Sequence, residues 1–193
     1  MAKIIRKERA YNGFFKVDRL LIDPENGGAP LTREVFERGA SAALLPYDPV
    51  RNRVLVVSEV RAGALAAGFD SGLARLGPIA GSIEPGETAI ANIQHEALEE
   101  AGLDLSSARL LGGPTTMVSP GGTSEIIHHF IAVMDLPDEL DGSEYGLGSE
   151  NEHTVVRLMD VGVATDSIWT GVTNGLLTTL LLTLPAFQKQ GVL

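Results

Sequence analysis

Three carboxylates, Glu96, Glu99 and Glu100, stand close together in the chain. In a helix, positions i, i+3 and i+4 share a face, so these side chains are expected to converge on one patch. Carboxylate oxygens are hard ligands, and at this density they repel one another unless a cation neutralises them. The chemistry they suggest is the binding of a divalent metal. The bland competitor is a solvated acidic helix face, which Glu-rich helices commonly present.

The flanking residues fix the frame of this cluster. Pro85 and Gly86 mark a turn, the run from Thr88 to Ala101 is made of good helix formers, and Gly102 stands where a left-handed C-terminal cap is wanted. Loop, helix and loop therefore follow in order. Upstream, residues 1–38 are polar, with a turn signal at Asp23 to Gly28 between two extended runs, which predicts an N-terminal β-hairpin appendage. The apolar runs Ser41 to Tyr47 and Arg53 to Val60 predict paired strands. Ala62 to Gly77, rich in glycine and alanine, reads as a loop. Leu110 to Val118, Glu125 to Met134 and His153 to Met159 read as further strands, Asp138 to Ser149 as a surface loop, and Asn174 to Gln188 as a terminal helix. Strands flanking two helices predict an α/β sandwich with the sheet covered on both faces. The organisation expected is a strand appendage over 1–38 and one catalytic domain over 39–193.

Composition narrows the partners. With 193 residues the chain can build one domain with a substantial core. A formal charge of -10 disfavours nucleic acid, whose affinity comes from lysine and arginine on phosphates. A small phosphorylated substrate escapes that objection, because a bound metal and a few local arginines can reverse the field inside one pocket. The absence of cysteine excludes disulfides and thiolate zinc sites and fits a cytoplasmic location. The basic N-terminus lacks the apolar stretch of a secretory signal. The most apolar segment, Gly175 to Leu184, is too short to span a bilayer, so no membrane partner is expected.

The segment from Gly81 to Leu103 resembles the Nudix box, G-x5-E-x7-R-E-U-x-E-E-x-G-U, with U a bulky apolar residue. Gly81, Glu87, Glu96, Glu99, Glu100, Gly102 and Leu103 all fall on it. The likeness extends over most of the chain. Tyr11 to Phe15, Arg33 to Gly39, Leu44 to Pro49 and Ser119 to Glu125 resemble the ADP-ribose pyrophosphatase branch of the Nudix hydrolases. The GDP-mannose-hydrolysing branch shares the turn at Ser119 to Gly122, and Glu125 to Phe130 resembles it at least as well.

The resemblance implies a Nudix αβα sandwich with a mixed sheet, and a homodimer that exchanges N-terminal strands. It implies hydrolysis of the pyrophosphate of ADP-ribose or a related nucleoside diphosphate sugar, dependent on Mg2+, for which Mn2+ can substitute. Residue by residue, Glu96, Glu99, Glu100 and the carbonyl of Ala80 correspond to the metal ligands, Glu99 being also a catalytic candidate. A further carboxylate that activates water corresponds to Glu152, favoured over Glu150. Arg61 corresponds to an arginine that meets the substrate phosphates, with a surface ion pair as the competing reading. Arg33, Glu125, Gly121 and Gly122 correspond to substrate-binding positions, Arg33 and Glu125 near the nucleoside and ribose.

Three positions depart from the pattern. His95 replaces the box arginine and has neither its guanidinium fork nor its permanent charge. Ala97 replaces a bulky apolar residue. Gly77 stands where the branch usually has a glutamate. Two alternatives stand beside the main reading: a GDP-mannose hydrolase, from the shared turn and Glu125 to Phe130, and, from His95 and Gly77, a weakly catalytic domain that binds nucleotide sugars. His128 and His129, adjacent in a predicted strand, point to opposite faces and cannot easily chelate one ion together. With His153 they read as packing or surface residues, and Trp169 and Phe187 as core or interface anchors.

Overall fold

Ser41 to Asp48 and Val54 to Val57 are buried without interruption, the pattern of strands covered on both faces. The structure, a computed structural model, describes residues 1–70, 72–146 and 153–191. They form two compact units. One comprises Met1–Ala40 and Thr116–Ile127, the other Ser41–Thr115 and His128–Leu193.

The first unit carries an antiparallel sheet of three strands, β1 (Lys3–Asn12), β2 (Lys16–Asp23) and β3 (Leu31–Glu37), in that spatial order. The turn read at Asp23 to Gly28 joins β2 to β3, and β1 adds one strand to the hairpin expected. Asp18 on β2 is buried, and Lys7 (2.9 Å) and Arg9 (2.5 Å) of β1 neutralise it. The segment after Thr116 also joins this unit, through Phe36, whose amide donates to Gly122 O (2.8 Å) and whose carbonyl accepts from Ser124 N (3.1 Å).

The second unit is built on β4 (Ala40–Asp48), β5 (Arg53–Ser58), β6 (Leu76–Gly77), β7 (Ile79–Ser82), β8 (Arg109–Met117), β9 (Ile126–Val133), β10 (Glu144–Tyr145) and β11 (Thr154–Asp160). The sheet order is β10-β11-β5-β4-β9-β8, with β6 paired to β5 and β7 to β4. Among the described residues four helices accompany it: α1 (Ala62–Ala66), α2 (Ala89–Ala101), α3 (Val161–Ser167) and α4 (Gly175–Lys189).

Side-chain alternation assigns the helices to faces. Ala42, Leu44, Leu55, Val57 and Ile79 pack in one cluster with Ile93, Ala97 and Ala101 of α2. Residues of the opposite parity, Ala43, Leu45 and Tyr47, point the other way. The Tyr47 hydroxyl meets Gln188 of α4 there (3.3 Å). The sheet is thus sandwiched between α2 and α4, the α/β architecture expected.

Three readings need correction. Asp138 to Ser149, read as a surface loop, holds a 3-10 turn at Asp138–Leu140 and strand β10. Ala62 to Gly77 is not simply a loop: it holds α1, a 3-10 turn at Gly72–Arg75 and β6. Helix α1 was illegible because it is five residues long, buries none of them and has no side-chain cap. Helix α3 was missed as well, although Asp160 signals its start by accepting from Gly162 N (2.8 Å) and Val163 N (3.2 Å). No helix among the described residues is long and apolar enough to cross a membrane.

Candidate functional site

Helix α2 is fixed at both ends by its own sequence. Thr88 Oγ1 accepts from Ala91 N (3.1 Å) as the N-cap. Gly102 is left-handed at φ 62°, and its amide and that of Leu103 close on the carbonyls of Leu98 (3.0 Å) and Ala97 (2.9 Å). The ring of Tyr145 lies where a Cβ on Gly102 would have to go. The buried stripe of α2 is Ile93, Ala97 and Ala101, an i, i+4, i+8 row. The small Ala97, a departure in the motif, is fully buried in it.

Glu100 falls inside this stripe and is only 7% exposed, whereas Glu96 is half-buried and Glu99 is exposed. The three carboxylates therefore do not share one environment, because the sheet covers only part of the helix circumference. Strand β7 receives the two inner ones. Gly81 pairs with Ala42 on the face toward α2, and a Cβ there would collide with the Glu96 carboxylate. Gly81 has no left-handed backbone requirement, so it is glycine for room. The amide of Ala80 donates to Glu100 Oε2 (3.2 Å).

Burial, followed by the charges of Glu59 and Glu96, pushes the Glu100 carboxyl up to about 9. The Ala80 hydrogen bond and the nearby Arg61 oppose the shift without cancelling it. Arg61 alone does not balance a buried carboxylate with two acidic neighbours, and a divalent cation would supply the remaining positive charge. The donor set, carboxylate oxygens beside the Ala80 peptide, fits a hard ion. No group of three or more His, Cys, Asp or Glu side chains among the described residues is arranged as a metal cage.

Arg61 lies in the same unit and pairs with Glu59 (2.8 Å), both side chains about three-quarters covered. Its guanidinium fills the space in front of Gly77, where a Cβ would collide with Nη2. The departure at Gly77 thus has a local physical reason. Glu59 was not singled out in the sequence, although the i, i+2 spacing of Glu59 and Arg61 in an extended segment places both on one side.

The side chain of His95 is exposed. Its Nδ1 pairs with Glu87 Oε1 (3.1 Å). Glu87 also accepts from Glu84 N (3.1 Å) and Asn92 Nδ2 (3.3 Å). These bonds, that to the Glu84 amide foremost, hold its carboxyl below the usual range.

The remaining candidates belong to the first unit. Arg33 is exposed on β3 and donates to the Thr32 carbonyl (2.8 Å). Gly121 and Gly122 are exposed in a turn closed by Gly122 N on Ser119 O (3.0 Å). Glu125 pairs with Arg38 (3.2 Å), whose guanidinium also lies over the rings of Phe15 and Phe36. Arg38 was not singled out either. Glu150 and Glu152 lie outside the described residues.

No protein-family model matches the chain. Over 161 residues it is 35% identical to the ADP-ribose pyrophosphatase of Escherichia coli (strain K12), covering 81% of this chain and 74% of that protein. The chain is a Nudix hydrolase. This Nudix hydrolase is also 32% identical over 150 residues to the GDP-mannose pyrophosphatase of Cronobacter sakazakii, covering 78% and 75% of the two chains. Its fold matches the crystal structure of an ADP compounds hydrolase with a TM-score of 0.73, across 100% of this chain and 97% of that one, at 17% identity.

Proposed function

We propose that this Nudix hydrolase cleaves the pyrophosphate bond of ADP-ribose or a related nucleoside diphosphate sugar, releasing a nucleoside monophosphate and a sugar phosphate. The observation that carries the reading is the buried Glu100 carboxylate beside Glu96, both packed on β7, in a chain similar along most of its length to pyrophosphatases of nucleotide sugars. Glu96, Glu99, Glu100 and the Ala80 carbonyl would hold Mg2+, with Mn2+ able to substitute. Mg2+ bound there would neutralise phosphate charge and lower the pKa of the attacking water.

The side chains supply the rest. Glu96 is held against the backbone of Gly81, which limits its rotamers and aims the carboxylate. Glu100 is oriented by the Ala80 amide. Arg61 offers a guanidinium suited to bidentate binding of phosphate oxygens. Glu152, with Glu150 as the alternative, is assigned as the water-activating carboxylate, and Arg33, Glu125, Gly121 and Gly122 as contacts to the nucleoside end.

The protein is assigned as a cytoplasmic homodimer that binds neither nucleic acid nor membrane. Strand β1 is exposed along its whole length, and Ile4, Ile5, Tyr11 and Phe14 lie open on the first unit, which supports pairing of two copies through that unit. Light scattering at micromolar concentration would return a monomer if this is wrong. The substrate is tested by incubating the protein with ADP-ribose, GDP-mannose, ADP-glucose and NADH in Mg2+. Monophosphate release is expected, with either ADP-ribose or GDP-mannose preferred. Tight binding without turnover would favour a nucleotide-sugar-binding role, and no release or binding with any of the four would end the proposal.

A further inference from the structure

The strip formed by β6 and β7 presents Gly77, Ile79 and Gly81 toward α2. Their partners across the sheet are Val57, Leu44 and Ala42, and Val57, Leu44, Ala42 and Ile79 all belong to the core cluster that contains α2. Ile79 fills the middle of the strip and is fully buried. The two outer positions carry no side chain, and neither glycine adopts a positive φ. Conformational freedom therefore does not explain them, and room does. In front of Gly81 stands the Glu96 carboxylate, and in front of Gly77 the Arg61 guanidinium.

Arg61 is not loosely placed there. Glu59 lies two residues earlier on the same side of an extended segment, which is tied to the strip by Glu59 N donating to Arg75 O (3.2 Å). Its Oε1 meets Arg61 Nη2 at 2.8 Å, with about a quarter of either side chain exposed. The amide side chain of Asn174, the N-cap of α4, closes another side: its Nδ2 lies 3.2 Å from where a Gly77 Cβ would be. One donor remains over, since the Nε of Arg61 is buried without a hydrogen-bond partner among the described residues. A buried donor without an acceptor is costly, and an anionic oxygen arriving at the guanidinium would satisfy it.

We propose that Glu59 and Gly77 form a socket that holds the Arg61 guanidinium in the orientation needed to receive a substrate phosphate, making Glu59 a positioning residue and the missing side chain at 77 a requirement of the site. This rests on the reading of Arg61 as the phosphate-binding arginine. The influence of Glu59 and Arg61 on the acidity of Glu100 agrees with both lying close to the carboxylate site. The single methyl of Gly77→Ala suffices as a probe, because it would occupy the volume of the guanidinium.

A double-mutant cycle between Gly77→Ala and Arg61→Ala, with Glu59→Gln and Glu59→Asp alongside, tests this by two readouts. The first is Tm, which needs no activity: Gly77→Ala should lower Tm in the parent protein and leave it unchanged, or raise it, once Arg61 is alanine. The second is the division between KM and kcat for the best substrate. Gly77→Ala and Glu59→Gln should each raise KM about tenfold, the equivalent of one weakened charge-assisted contact, with kcat changed less. Glu59→Asp should recover part of the loss. An equal Tm penalty for Gly77→Ala in both backgrounds overturns the socket. A raised KM in Arg61→Ala with an unaltered KM in Glu59→Gln overturns the positioning role alone. If no nucleotide sugar is hydrolysed, the proposed function fails, while the Tm cycle still decides whether the socket exists.

Discussion

Glu87 and Glu100 belong to one motif, at the two ends of one helix, and their surroundings push them in opposite directions. At the entrance, Glu87 accepts from the Glu84 amide, Asn92 and His95, and its carboxyl lies below the ordinary range. In the last turn, Glu100 has one amide donor at 3.2 Å and two acidic neighbours, and burial drives it up to about 9. The first carboxylate is satisfied by the chain itself and stabilises the turn into α2. The second receives one bond from the chain and too little positive charge, so glutamine in its place is expected to suit the metal-free fold better. A site that opposes the fold locally points to a ligand that the fold alone does not provide.

Replacing the buried carboxylate should have the largest effect. Glu100→Gln is expected to cut kcat on the order of a hundredfold or more, the scale of losing one electrostatic group at a reacting centre, while raising the Tm of the metal-free protein. Steady-state kinetics in saturating Mg2+ and a thermal melt in chelator check the two halves. A variant that loses stability along with activity would make Glu100 a structural residue.

The pH dependence of stability should separate the two ends next. For Glu100, the folded state holds a proton up to about pH 9 that the unfolded chain releases near the ordinary carboxylate pKa of 4.5. The native state then binds more protons between those values, so stability falls as pH rises through that window and levels off above it. For Glu87 the folded pKa lies below the unfolded one, so its contribution is present above about pH 4.5 and is lost as pH falls through the folded value. Denaturant titrations of the metal-free protein between pH 5 and 9 should show the decline in the parent and a flatter profile in Glu100→Gln. Identical profiles would remove Glu100 as its cause.

Two smaller effects belong to the entrance of the helix. Thr88→Ala should cost about 1 kcal/mol of stability, the usual loss of a hydroxyl N-cap, with KM for substrate unchanged. His95→Arg should alter kcat by less than about threefold, an energy under about 1 kcal/mol, because the contact of His95 is to Glu87 at the entrance of the helix. An increase in kcat concentrated at alkaline pH would mean that position 95 reaches the metal site.

Helix α2 was legible because each of its signals is local: Thr88, the spacing of Ile93, Ala97 and Ala101, and Gly102 act within the helix. Strands β4 and β5 were legible for the same reason, through runs of buried apolar residues. Helices α1 and α3 were missed because they are short and α1 has no side-chain cap. The identity of the acidic cluster could be read, but its division into buried Glu100 and exposed Glu99 could not, since that depends on which side of the helix meets the sheet. Gly77 shows the limit most clearly. In the sequence it is a missing glutamate, whereas in the fold it is the space taken by a guanidinium from a segment sixteen residues earlier.

The contrast between the two ends of α2 is tested most directly by the Mg2+ dependence of Tm near neutral pH, in the parent, Glu87→Gln and Glu100→Gln. A cation that binds only the folded site raises stability with its concentration. The parent and Glu87→Gln should both gain Tm progressively as Mg2+ rises, Glu87→Gln from a lower starting point, while Glu100→Gln starts higher and gains little. The same Mg2+-dependent gain in all three proteins would contradict the assignment of Glu100 to a metal site.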